Sequence, residues 1–119
     1  AFGSEAKRIR EGIPVVMLSH NTRELATLSA GDGIDRIFVW TGDSGILLSI
    51  CKLIEDERNV ENDVRDGDVQ VILLVEDSRR FYSAYLPLLY KELVHQTTRL
   101  MGEGGNLHEK LLRLRARAK

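Results

Sequence analysis

Val69-Gln70-Val71-Ile72-Leu73-Leu74-Val75-Glu76-Asp77-Ser78 is apolar and rich in β-branched residues, then ends abruptly in two carboxylates. An apolar run without polar alternation predicts a strand buried on both faces, as in a parallel sheet covered by helices. The acidic pair then stands at the strand's carboxyl end, where open α/β sheets bind ligands. Two adjacent carboxylates followed by a hydroxyl suit a hard divalent cation such as Mg²⁺, which makes Glu76 and Asp77 the candidate metal ligands. The competing reading is that a strand leaving the core meets charge because it has reached water.

Upstream of this stretch the pattern predicts two more strands. Ile13 to Leu18 is short and apolar, with Pro14 tolerable at its first positions and Ser19 at its end. Asp35 to Trp40 is the second, and between the two a helix from Asn21 or Thr22 to about Ala30 turns Leu25 and Leu28 to the sheet before Gly31-Asp32-Gly33 stops it. The first twelve residues read as the last turns of a helix halted by Gly12. After the loop Thr41 to Gly45, Asp43 or Ser44 can cap a helix in which Ile46, Leu47, Ile50, Leu53 and Ile54 recur at helical spacing to about Arg58. Residues 55–68 hold seven acids, with asparagines and a glycine, and read as a solvated loop or linker.

Downstream, a long helix from Arg79 to Met101 is expected to present Phe81, Tyr85, Leu88 or Leu89, Leu93 and Leu100 on one face. Pro87 removes a backbone bond and predicts a bend or break near Ser83 to Leu86. Past Gly102 to Gly105, the capping box Asn106-Leu107-His108-Glu109 opens a final helix with Leu107, Leu111 and Leu114 beneath Lys110, Arg113, Arg115 and Arg117.

The 119 residues, 43% hydrophobic with a formal charge of -1, suffice for one domain with a core and show no global bias toward nucleic acid or membrane. Charge is unevenly placed, acidic in the middle and basic at the tail, where residues 106–119 carry five bases against Glu109. That tail is the best candidate for an interaction surface, docking on the chain's own body or on a neighbouring domain. It lacks the aromatic residues that single-stranded nucleic acid needs for stacking. The single cysteine, Cys51, lies among apolar residues and reads as core in a reducing compartment. No charged-then-apolar leader or spanning run is seen, so a cytoplasmic protein is expected. The histidines His20, His95 and His108 are scattered, and the glycine loops lack nucleotide-motif spacing. Trp40 and the tyrosines are expected to pack rather than form a ligand cage.

The element order predicts an α/β layer architecture with a short parallel sheet of about three strands and helices on both faces. If the third strand returns beside the first, Ser19, Glu76 and Asp77 share one crevice at a topological switch point.

The segment VILLVEDS (71–78) resembles the first strand and acidic pocket of a response-regulator receiver domain, IPVVMLS (13–19) its fourth strand with terminal hydroxyl, and residues 35–54 its fifth strand and helix. The order is that of the closing half of one receiver (1–68) followed by the opening strand and helix of another (69–119), unless 1–119 forms one compact domain. FVWTGDS, LIEDERNVENDV, VQVILLVEDSRRFYSAYLPLLYKEL and LHEKLLRLRARAK more specifically resemble the tandem receiver-like region of large bacterial proteins related to phosphoenolpyruvate synthase and pyruvate phosphate dikinase.

The resemblance implies an incomplete flavodoxin-like, receiver-like fold, with Glu76 and Asp77 as Mg²⁺ ligands and Ser19 as the hydroxyl that contacts a phosphoryl group. It also exposes two departures: neither half includes the strand that carries the phosphoacceptor aspartate, and Trp40-Thr41 stands where the family has its lysine. The expected function is therefore a non-catalytic signalling or regulatory module of a phosphorelay or phosphotransfer protein, with no catalytic residues of its own. Its expected partners are other domains of that protein, through the helices, Trp40 and the basic tail, or a second copy through open sheet edges or helices. Neither nucleic acid nor membrane is expected. The alternatives are a small flavodoxin-like domain that binds a phosphorylated ligand or nucleotide, and a self-associating scaffold.

Overall fold

Strand β1 (Val16–Ser19) and strand β2 (Arg36–Val39) run parallel, pairing Val16 with Arg36 and Ser19 with Val39. They belong to a computed structural model that describes residues 2–21, 23, 25, 33–67, 69–102 and 116–118. The described chain is mixed α/β: three helices, α1 (Phe2–Ile9), α2 (Gly45–Gly67) and α3 (Arg79–Gly102), accompany two short parallel strand pairs. It divides into two compact units, residues 1–43 with 76–84, and residues 44–75 with 85–119.

In the first unit α1 ends ahead of Gly12, whose φ of 75° a glycine adopts without penalty. Gly33 also has a positive φ, and a side chain there would meet the backbone of Gly3 and Ser4. The chain can therefore pass close beneath α1. Asp35 ties this corner together: its Oδ1 accepts from Lys7 Nζ and its Oδ2 from the Val15 N–H at 2.8 Å, while its own N–H donates to the Val15 carbonyl. Phe38 and Val39 are buried, and the Phe38 ring lies 6.2 Å from that of Tyr82. The expected helix between the two strands falls mostly outside the described residues, although Leu25 is described and buried.

In the second unit α2 runs 23 residues, well past Arg58. The acidic stretch read as a loop is thus helical to Gly67. Its buried positions, Ile46, Ser49, Ile50, Leu53, Asp56 and Val60, form one stripe at helical spacing. The stripe was hidden because one of its members is an aspartate. Asp56 is only 2% exposed, and its Oδ2 accepts from the hydroxyl of buried Tyr90 at 2.9 Å. Cys51, expected in the core, points to solvent from the opposite side of α2.

The long run 69–75 is corrected most. Only Gln70–Ile72 form strand β3, which pairs in parallel with β4 (Ala116–Ala118). Leu73 and Val75 are 69% and 81% exposed, so the segment is not buried on both faces. The tail is corrected with it: Arg117, expected on a basic helix, lies in β4. Of the expected helix only residues 116–118 are described, and they form this strand. Lys110, Arg113 and Arg115 lie outside the described residues.

Helix α3 continues unbroken through Pro87. Leu86 and Tyr90, both buried, flank the proline on the inward side. Packing outweighs the one lost backbone bond. The inward side also differs from expectation, since Ser83, Leu86 and Tyr90 are buried whereas Phe81, Tyr85 and Leu88 are exposed. A polar residue on the stripe again misled the pattern, here Ser83.

Candidate functional site: a cleft beside strand β2

Ser78 closes the start of α3: its Oγ accepts from the Phe81 N–H and its carbonyl from the Tyr82 N–H at 2.8 Å. Glu76 reaches forward, Oε1 accepting from the Ser78 N–H at 2.9 Å. This local bonding fixes where the acidic pair stands. A cleft of about 280 Å³ in the first unit is lined by Glu76 and Asp77 together with Asp35, Arg36, Ile37, Phe38, Arg79 and Tyr82. Asp77 is exposed and, among the described residues, has no hydrogen-bond or ion-pair partner.

The other charges of the cleft are already engaged. Lys7, through its hydrogen bond, holds the Asp35 carboxyl below the usual carboxylate range, helped by the Val15 N–H and by the charge of Arg36. Arg79 donates through Nη1 to the Leu25 carbonyl at 2.9 Å. With Asp35 paired to Lys7, the carboxylates of Glu76 and Asp77 share the lining with the guanidinium groups of Arg36 and Arg79, so the cleft carries both signs of charge in balance.

Ser19 is not among the lining residues. It sits at the carboxyl end of β1, is buried, and is absorbed in a local turn, its Oγ accepting from the Asn21 N–H at 3.1 Å and lying 3.3 Å from the Asn21 carbonyl. The cleft instead includes Arg36, at the amino end of β2, so the acids and Ser19 are not brought together at the carboxyl ends. Trp40 follows β2 at that carboxyl end, its ring 6.1 Å from the His20 ring. Of the sequence candidates, only Glu76 and Asp77 meet in the cleft. Asp35, Arg36, Arg79 and Tyr82 were missed; none belongs to a spacing motif, and only the fold assembles them.

Two carboxylates can serve Mg²⁺ when waters complete its octahedron. Among the described residues no cluster of three or more His, Cys, Asp or Glu side chains suits a metal ion. Glu76 and Asp77 are the residues that could hold such a hydrated ion. The chain's cleft is small beside the roughly 300–1,000 Å³ common for small-molecule sites. No helix among the described residues is long and apolar enough to cross a membrane.

Comparison of the chain with protein-family models, with curated proteins and with solved structures finds no match.

Proposed function

We propose that the chain is a non-catalytic, receiver-like signalling or regulatory module within a larger bacterial phosphotransfer protein of the cytoplasm, built on an incomplete three-layer, flavodoxin-like sheet. The observation that carries this reading is the cleft that unites Glu76 and Asp77 with β2 of a parallel pair, Asp77 lacking a partner among the described residues. In this reading the two acids hold a hydrated Mg²⁺. The helices, Trp40 and the basic tail residues Lys110, Arg113, Arg115 and Arg117 are the candidates for contact with the parent protein's other domains. Neither nucleic acid nor a membrane is a partner.

The test is an Mg²⁺ titration followed through backbone amide resonances. Saturable shifts at Glu76, Asp77 and Ser78, lost in Asp77→Asn, are expected; their absence in a folded chain removes Mg²⁺ from the proposal. Incubation with acetyl phosphate and Mg²⁺ should leave the intact mass unchanged, and a stoichiometric, base-labile adduct would overturn the non-catalytic assignment.

A second reading, a self-associating scaffold, is favoured by the exposed apolar side chains of Val71, Leu73 and Val75 on alternate positions of one extended segment. Sedimentation velocity over a dilution series decides it, since a monomer at every concentration excludes a scaffold.

A further inference from the structure

Strand β4 reaches β3 from far along the chain. The two pair in parallel, Gln70 with Ala116, Val71 with Arg117 and Ile72 with Ala118, and β4 also lies against α2. Val69 N–H donates to the Asp63 carbonyl at 3.3 Å, which ties the amino end of β3 to the last turns of α2, where Glu61, Asp63 and Asp66 stand against Arg65. The strand that fills this edge is of the opposite charge: the sequence around it sets Arg113, Arg115, Arg117 and Lys119 at every second position. Its pairing is short and ends at Ile72. Leu73 and Val75, next along the chain from β3, are 69% and 81% exposed, and Val71 within β3 is exposed as well. A two-stranded pairing of this length is marginal by itself.

We propose that the edge of β3 held by β4 is the docking site for an extended basic segment of a partner protein, and that β4 is the chain's own competitor for it. The partner adds as a parallel strand in place of β4, the mode by which sheet edges take up peptides. Its chemistry is that of the strand it displaces, basic residues alternating with small or aliphatic ones, so that the cations share one side of the segment. The acidic last turns of α2 attract such a segment. A segment that runs on over Leu73 and Val75 also buries apolar surface that β4, ending opposite Ile72, leaves to water. Docking therefore releases the basic tail. The inference rests on the pairing of β3 with β4 and neither on Mg²⁺ nor on the receiver-like reading.

The experiment uses the whole chain in Mg²⁺-free buffer, and its probe is a capped peptide of sequence LRLRARAK, that of residues 112–119. Titration followed by amide resonances should give saturable shifts centred on Gln70, Val71 and Ile72, weakening with added salt. The same peptide with glutamate at every basic position should not bind. Arg117→Pro combined with Ala118→Pro removes whichever of the two amides faces β3. That variant should bind the probe at least about tenfold more tightly, since it no longer carries a competitor tethered at millimolar effective concentration. Where the variant fails to fold, the unaltered chain decides: saturating probe should speed hydrogen exchange at the β4 amides while those of β3 stay protected. Shifts centred elsewhere, binding of the glutamate peptide, equal affinity in chain and variant, or β4 amides that stay protected would each overturn the proposal. So would association of the chain with itself through Gln70 to Ile72 without probe, which assigns the edge to a second copy. Probe binding by a chain that ignores Mg²⁺ separates this inference from the metal assignment.

Discussion

Asp56 and Asp77 each follow a glutamate in the sequence, yet they occupy opposite environments. Asp56, in the second unit, is 2% exposed and receives the Tyr90 hydroxyl; Asp77, in the first, is exposed on a cleft wall with no described partner. A polar group enters a core only with partners that replace its water. Asp56 is therefore a structural residue and Asp77 an available one. The contrast separates residues that hold the fold from residues left over to recognise something.

Removing the partner that makes burial tolerable should have the largest effect. Tyr90→Phe leaves Asp56 short of a bond and is expected to destabilise the chain by about 1–3 kcal/mol in urea unfolding, while Asp77→Asn should stay within about 0.5 kcal/mol. Equal effects would erase the distinction. Within the first unit, Ser83→Ala strips the Val39 N–H of its acceptor and should cost about 1 kcal/mol, with faster hydrogen exchange at that amide.

A smaller effect than that of Tyr90 belongs to Asp35, exposed but pinned by Lys7 and Val15. Its lowered carboxyl pKa means that folding holds its charged form, so this contribution is present above the ordinary carboxylate range and is lost as pH falls through the folded value. Solvent screening keeps it under about 1 kcal/mol. Asp35→Asn should flatten the acid limb of the stability–pH curve below about pH 4 and be felt less at low pH than at neutrality. An unchanged limb would show that the pin contributes nothing.

Much of the architecture was legible where side-chain character and position agreed. The β1 and β2 runs, the Gly12 stop, the Ser78 start of α3 and its end near Gly102 all follow from local rules. Asp56 and Ser83 defeated the helical pattern, because each fills a core position with a polar residue whose partner is distant in sequence. The run 69–75 failed for another reason: hydrophobicity says that a segment prefers cover, not that cover is supplied. The tail was read as a helix from its capping-box start and leucine spacing, yet Ala116–Ala118 pair with β3, a partner distant in sequence. Of the cleft, only Glu76 and Asp77 could be read, since Asp35, Arg36, Arg79 and Tyr82 acquire a shared role through the fold alone.

Ser83 donates to the Arg79 carbonyl inside its helix and accepts from Val39 on the strand, so one hydroxyl reads two elements at once. It works as a key cut to a single rotation of α3. Inserting one residue between Ser78 and Ser83 would turn the hydroxyl by about 100° and withdraw it from the strand. Length changes in that first turn should thus be rejected where point substitutions on its outer side are tolerated, a pattern that a scan of single-residue insertions would display.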